Sequence, residues 1–266
     1  MINEPKIVKI TDIVDETPTI KTFKFNWDME SLGRPNPGEF LMIWNFKNEK
    51  PMSISQINDG EMAISVKNIG EFTSQLHELE VGDQIGVRGS YGNGFNNSFE
   101  GKNILAIGGG VGMAPINAIA SDLIQKGNNV DVVAAAVNKD ELLFVDSLEK
   151  LGANVHPCTD DGSFGFKGFA TDCTVDLLKD STYDYAFVCG PEIMMKGIFD
   201  ILEDASIPAQ YSLERYMKCA LGVCGQCCVD DEGWRICVEG PVFENDKIKQ
   251  ISEFGKYRRD ASGVKY

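Results

Sequence analysis

The sequence predicts a multidomain β plus α/β protein. A small antiparallel β-barrel comes first, then a parallel α/β domain, then a small C-terminal cysteine-rich domain. Three observations predict it. Short apolar–polar alternations separated by turn residues fill the first third of the chain. Strands alternating with helices follow from about residue 103. Five of the eight cysteines fall between Cys219 and Cys237. The domain boundaries implied are 1–97, 98–209 and 210–266.

In the first segment, Lys6–Val14 and Ile20–Trp27 alternate apolar and polar residues around the turn Glu16-Thr17-Pro18. Gly38–Asn45, Met52–Ile57, Met62–Val66 and Gln84–Val87 continue the pattern, with Asn58-Asp59-Gly60 as a turn. Short strands with little helix between them suit a small barrel. One amphipathic helix is expected over Thr73–Leu79, where Leu76 and Leu79 recur at helical spacing. Tyr91–Asn103, rich in Gly and Asn, reads as a connection. After it come a strand at Asn103–Ile107, a helix around Ile116–Lys126, and a strand at Val130–Val137. A helix near Leu142–Leu151, strands at Asn154–Cys158 and Tyr185–Cys189, and a helix at Glu192–Asp204 complete the alternation. This is the rhythm of a parallel sheet covered on both faces. It stops near Gln210.

Charge and hydropathy exclude several classes. The chain has 266 residues with 25 basic and 40 acidic side chains, a net charge of −15, which disfavours nucleic acid. No window is apolar enough for a membrane span. The opening stretch MINEPKIVKITDIVDE lacks the core of a signal peptide, so a cytoplasmic location is expected.

In such a compartment a cysteine cluster points to metal rather than disulfides. The spacing Cys219-x4-Cys224-x2-Cys227 with a distant Cys237 is the plant-type [2Fe–2S] ligand pattern. The small residues between the ligands let the backbone wrap closely and aim N–H groups at sulfur. A hairpin centred on Glu232, within the turn Asp231-Glu232-Gly233, would set Cys227 opposite Cys237. Cys228 would then point to the other face and is excluded from the ligand set. The alternative is a structural zinc site, but zinc favours paired C-x2-C or Cys/His motifs, and His77 and His156 are far away in sequence. Cys158, Cys173 and Cys189 lie in or beside apolar elements and, taken alone, read as core residues.

Ile104–Ile107 runs into Gly108-Gly109-Gly110-Val111-Gly112-Met113-Ala114-Pro115. Such a turn lets backbone approach a pyrophosphate at a helix start, although a tight strand–helix turn is the plainer explanation of glycines alone. Val188-Cys189-Gly190-Pro191 ends a later strand, and Thr159–Ser163 ends a third. Together they outline a dinucleotide groove at the carboxyl ends of the strands. In the first segment, Lys50-Pro51-Met52-Ser53 begins a strand and Gly70-Glu71-Phe72-Thr73 begins a helix. A cation, a hydroxyl and a helix start can hold a flavin's pyrophosphate and ring; each element also reads as an ordinary turn or cap.

These residues in this order resemble the ferredoxin reductase-like flavoproteins. Within them, nearly the whole chain resembles the electron-transfer subunits of class 1B dihydroorotate dehydrogenase. That family's Arg-Pro-x-Ser stands here as Lys50-Pro51-Met52-Ser53, and its Gly-Asn-Gly-Phe as Gly92–Phe95. Its glycine turn is Gly108–Pro115, and its Cys-Gly-Pro is Cys189–Pro191. Its cluster motif matches Cys219, Cys224, Cys227 and Cys237, led by Ser212-Leu213-Glu214 and closed by Cys237–Pro241.

The resemblance implies FAD on Lys50, Pro51, Met52, Ser53, Gly70 and Thr73, and NAD on Gly108, Gly110, Gly112, Cys189 and Gly190. It implies a [2Fe–2S] cluster on the four cysteines. It also implies an FMN-bearing dihydroorotate dehydrogenase catalytic subunit as partner, in a hetero-oligomer with two of each subunit. Electrons would pass from the partner's FMN through the cluster and FAD to NAD⁺, in pyrimidine biosynthesis. Lys50 departs from the family's Arg and brings charge without a planar fork. No catalytic acid, base or nucleophile is expected on this chain. The rival readings are a reductase subunit of a hydrogenase or ferredoxin:NADP⁺ oxidoreductase complex, and a metal-binding scaffold without turnover. NAD against NADP stays open, because Asn138–Glu141 offers both an acidic pair and Lys139.

Overall fold

The computed structural model describes residues 2–266. Among them, six strands close a barrel and seven form a second, mainly parallel sheet.

The barrel uses β1 (Ile2–Asp15), β2 (Ile20–Asn26), β3 (Phe40–Trp44), β4 (Glu49–Asn58), β5 (Glu61–Lys67) and β6 (Gln84–Tyr91) in the order β1-β2-β5-β4-β3-β6. All its ladders are antiparallel. Alternate residues such as Phe23, Phe25, Leu41, Ile43, Ile64 and Ile85 fill its interior. A short helix α1 (Met29–Leu32), not expected from the sequence, is capped by Asp28. The expected amphipathic helix is α2 (Glu71–His77), with Phe72 and Leu76 buried.

The connection after Tyr91 is pinned rather than loose. Asn93 N–H donates to the Gly240 carbonyl at 2.6 Å and Phe95 N–H to that of Pro37 at 2.7 Å. The Phe95 ring packs edge-on to Phe187 at 5.4 Å.

The second sheet contains β7 (Asn103–Gly109), β8 (Asn129–Ala136), β9 (Asn154–Thr159), β10 (Phe166–Lys167), β11 (Tyr185–Cys189), β12 (Ala209–Ser212) and β13 (Val242–Glu244), ordered β10-β9-β8-β7-β11-β12-β13. Its faces explain the near-continuous apolar strands. Ile104, Ala106, Val132, Ala134 and Phe187 meet Ile116, Ile119 and Leu148 of α3 (Met113–Gln125) and α4 (Val145–Leu151). The intervening Leu105, Ile107, Val133, Ala135 and Val188 meet Cys173, Met195 and Ile198 of α5 (Ala170–Asp180) and α6 (Glu192–Asp204). α7 (Asn245–Ile248) follows the last strand.

The structure corrects three expectations. The strand pattern does not stop at Gln210: β12 pairs in parallel with β11. The sheet is not wholly parallel, because β13, from the cysteine-rich segment, adds an antiparallel edge on β12. The fourth helix starts at Val145 rather than Leu142, after Phe144 in a left-handed conformation (φ 63°). The core on the α5–α6 face runs on through Met217, Ala220, Cys227, Ile236 and Cys237 to Phe40, Met42 and Tyr91 of the barrel. One packed interior therefore joins all three segments.

Candidate functional site

The first candidate site is a cavity of about 680 Å³ between the barrel and the C-terminal segment, a size suited to a cofactor. Lys50, Pro51 and Met52, at the start of β4, wall one side, and Gly70 and Thr73 at the start of α2 wall another. Pairing of Met42 with Pro51 and Ile43 with Lys50 fixes the first wall. A Cβ on Gly70 would meet nothing within 4 Å, so the cavity keeps room at that point. The Thr73 hydroxyl accepts from the N–H groups of Ile69 and Gly70 and donates to the Gly70 carbonyl, so it shapes the wall. Lys50 Nζ donates to the Tyr216 hydroxyl at 3.3 Å and lies 4.6 Å from that ring's centre. Ser53, paired with Phe40, is half-buried and does not line the cavity. Glu214, Tyr216, Met217, Arg258, Arg259 and Tyr266 also line it and were not anticipated. They come from distant sequence, with no local motif to mark them. A cavity of this volume, with a cation at one wall and a gap at Gly70, fits a flavin dinucleotide.

The second candidate lies at the carboxyl ends of β7 and β11. The turn Gly108–Gly112 and the turn Cys189–Pro191 touch each other. A Cβ on Gly112 would fall 2.6 Å from the Cys189 carbonyl oxygen, one on Gly109 2.6 Å from Met194 Sδ, and one on Gly108 2.2 Å from Met113 Sδ. These glycines have a packing reason. Gly110 differs: its φ is 54° and a Cβ there would meet nothing within 4 Å. It leaves bare backbone in open space, as a pyrophosphate contact would need. Cys189 is half-buried beside this turn, and burial pushes its thiol up to about 12, so it stays neutral. Its Sγ lies 3.7 Å from the Ser212 carbonyl oxygen. The third strand end is tied in, since Ser163 Oγ accepts from Lys139 N–H at 2.8 Å.

The third candidate is the cysteine loop. Cys219 is half-buried, Cys224 exposed, and Cys227 and Cys237 buried. The thiols meet as two pairs, Cys219 with Cys224 and Cys227 with Cys237. Burial alone would raise the Cys219 thiol, but N–H groups of Leu221, Cys224 and Val223 outweigh it and bring it down to about 6. Burial, with Cys237 alongside, pushes Cys227 up to about 12. Among the described residues, no three Cys, His, Asp or Glu side chains are gathered at single-ion spacing. A two-iron centre asks for two thiolates per iron, and soft thiols alone suit iron–sulfur chemistry, so the donor set fits.

The hairpin register differs by one from expectation. Cys228 bridges Arg235, and Cys227 accepts at its carbonyl from Ile236 N–H rather than facing Cys237. Val229 N–H reaches the Trp234 carbonyl, enclosing a four-residue loop in which Asp231 and Gly233 have positive φ. Cys237 N–H still points to Cys227 Sγ at 3.5 Å, so the two sulfurs stay adjacent.

Buried charges brace these sites. Arg215 bonds Glu192, the residue after Cys189–Pro191, and Glu253, whose other oxygen accepts from Asp230 N–H at 2.6 Å. The Asp230 carboxyl is held at about 2, first by hydrogen bonds from Arg259 and then from Tyr257. A folded pKa below the ordinary 3.8 means the anchor stabilises fully above about pH 4 and fades as pH falls towards 2. Asp230→Asn is therefore expected to lower the melting temperature of cluster-free protein by about 1–4 °C near neutrality. Melting curves from pH 7 to 2 should show that gap closing below about pH 4; a pH-independent gap would assign Asp230 another role.

No helix among the described residues is long and apolar enough to cross a membrane. Residues 214–249 match the iron–sulfur cluster binding domain of dihydroorotate dehydrogenase B, and residues 106–200 match the oxidoreductase NAD-binding domain. The chain is 50% identical over 264 residues to a probable dihydroorotate dehydrogenase B (NAD⁺) electron transfer subunit of Methanothermobacter thermautotrophicus, covering 98% of this chain and 97% of the relative. It is 47% identical over 265 residues to the like-named protein of Methanocaldococcus jannaschii, covering 99% of each. A solved structure of an NADH-dependent reduced ferredoxin–NADP oxidoreductase, studied for flavin-based electron bifurcation, superposes with a TM-score of 0.82 at 28% identity. That match covers 94% of this chain and 93% of the other.

Proposed function

The chain belongs to the family of dihydroorotate dehydrogenase B electron-transfer subunits, and from that premise we propose that it links a catalytic partner to NAD⁺. Residues 1–97 would serve the flavin, 98–209 the nucleotide and 210–266 the cluster. FAD would be held by Lys50, Pro51, Met52, Gly70 and Thr73, with Ser53 next along β4 outside the lining, and NAD by Gly108, Gly110, Gly112, Cys189 and Gly190. The cluster would be held by Cys219, Cys224, Cys227 and Cys237. A flavin exchanges electrons singly with an iron–sulfur cluster and in pairs with a nicotinamide, which is the chemistry these groups supply when bound. The chain's own work is to hold, orient and shield them.

The observation that carries this reading is the stretch Glu214–Met217, which walls the flavin cavity two residues before the ligand Cys219. The histidines lie elsewhere. His77 Nε2 is 2.8 Å from the Val66 carbonyl oxygen, and His156 sits beside Asp131, towards the amino ends of the strands. Dihydroorotate oxidation is assigned to the partner, an FMN-bearing subunit, because the relatives are named electron transfer subunits, and the assembly is read as cytoplasmic with two copies of each subunit.

The test is anaerobic purification with the partner. Flavin absorption, iron, a reduced-cluster EPR signal and NAD⁺-dependent dihydroorotate oxidation are expected together, and a colourless complex would overturn the reading. The ferredoxin–NADP oxidoreductase likeness supports a second reading. A co-purifying subunit that oxidises reduced ferredoxin instead of dihydroorotate would select it.

Lys50→Met is expected to weaken FAD binding about tenfold, the low end for a charge-assisted contact. Lys50→Arg should tighten it, because a planar fork replaces a point charge. Fluorescence titration of flavin-free protein measures both, and equal affinity in Lys50→Met would remove Lys50 from the site.

A further inference from the structure

Two arginines take the carbonyls of the first cysteine loop. Arg235 Nη1 donates to the Gly222 carbonyl at 3.1 Å from within the cluster hairpin. Arg88 reaches the loop from barrel strand β6, and its Nη1 donates to the Cys219 carbonyl at 3.0 Å. The same guanidinium grips both oxygens of Glu49, at 2.6 Å each, and donates to the Tyr91 hydroxyl at 3.0 Å. Arg88 is 7% exposed, so these bonds form almost out of water, where geometry and charge count most.

The arrangement has two consequences. Turning the Cys219 and Gly222 carbonyls outward to arginine leaves loop N–H groups to face inward, as Leu221 N–H does towards Cys219 Sγ at 3.4 Å. Ala220, between them, is buried with φ 58°, a conformation that a non-glycine keeps only where its surroundings over-determine it. The pleat also matters. Met42 pairs with Arg88 on one side and Pro51 on the other, so these side chains share the outer barrel face that meets the cluster segment. Glu49 directly precedes Lys50, a wall of the flavin cavity. One planar cation thus ties the flavin wall to the first cluster ligand.

We propose that Arg88 is a positioning residue for electron transfer: held by Glu49, it fixes the Cys219 loop at a set separation and orientation from the flavin cavity. The proposal rests on the reading of that cavity as the flavin site and of the four cysteines as cluster ligands. Lysine keeps the charge but cannot hold a carboxylate by two parallel bonds while also holding a phenol and a carbonyl.

The experiment uses the loaded complex, with Arg88→Lys and, as a second route to the same tie, Glu49→Gln. Stopped-flow mixing with NADH under anaerobic conditions reads flavin bleaching and cluster reduction separately. Both variants should retain flavin and iron. The ratio of cluster-reduction rate to flavin-bleaching rate should fall at least about tenfold, as small misplacements of reacting centres do. The EPR signal of the reduced cluster should shift or broaden. An unchanged ratio in iron-loaded variants overturns the proposal. So does failure of both variants to take up iron, which would assign Arg88 to cluster retention. Wild-type complex lacking flavin or cluster overturns the underlying reading instead, and shows before any variant is made.

Discussion

Cys224→Ala is expected to leave FAD bound, to erase the EPR signal of the reduced cluster, and to cut dihydroorotate-dependent NAD⁺ reduction by at least about two orders of magnitude. NADH oxidation by an artificial acceptor at the flavin should survive. Of the four proposed ligands, Cys224 is the cleanest to remove because it is exposed. Its loss opens no cavity and costs the fold little. The same change at Cys227 or Cys237, both buried, would mix lost packing with lost ligation. Cys228, the remaining thiol of this segment, falls outside the C-x4-C-x2-C spacing with its distant fourth Cys, and it follows Cys227 directly, where successive strand residues alternate faces. Cys228→Ser should therefore keep the cluster and serve as the control. Iron analysis, EPR and the two activity assays on one preparation decide the matter. Coupling at the normal rate in Cys224→Ala would mean that electrons take another route.

Much of this was legible in the sequence where the cause is local. Tyr185–Cys189 and Glu192–Asp204 have the bounds that their apolar runs predict. The cysteine spacing points to paired thiols because four intervening residues suffice to bend a loop back on its first ligand. The glycine turn was legible as a turn, but the division of labour within it was not. Gly108, Gly109 and Gly112 are small because Met113, Met194 and Cys189 press on them, whereas Gly110 is the position left bare. For Gly109 and Gly112 that depends on neighbours about 80 residues away in the sequence. The misses share this character. β12 and β13 are four and three residues long and pair across the cysteine segment, so neither shows a period. Helix α5 buries Ala170, Cys173 and Thr174, poor markers of an apolar face. The hairpin slipped by one because the sequence does not say that Asp231 and Gly233 would both adopt positive φ. Tyr216, Arg258 and Tyr266 reach the cavity beside Lys50 only because segments distant in sequence meet the barrel there.

The same long-range logic makes Arg215→Met the largest expected loss of stability. The Arg215 side chain is 4% exposed, and its partners Glu192 and Glu253 are 7% and 4% exposed. Replacing the cation with an apolar chain of similar length leaves two carboxylates buried. Glu192 would keep Arg258 at 3.0 Å. Glu253 would keep the Asp230 N–H. Breaking such a buried group from one side costs about 3–5 kcal/mol. For a chain of this size that is a fall of roughly 10 °C in melting temperature. The loss should not stay local, because Glu192 begins the helix after the nucleotide turn and Asp230 lies in the cluster hairpin. Faster loss of iron and weaker NADH binding are expected alongside the lower melting point. The discriminating comparison is Arg215→Met with Glu192→Gln and Glu253→Gln added. If the damage comes from uncompensated charge, neutralising both carboxylates recovers much of the lost stability, since a fully neutral replacement of a buried ionic cluster can match the original. If the triple variant is no better than Arg215→Met, the guanidinium acts through its shape and its bond to the Glu214 carbonyl at 2.8 Å, and the charge argument fails.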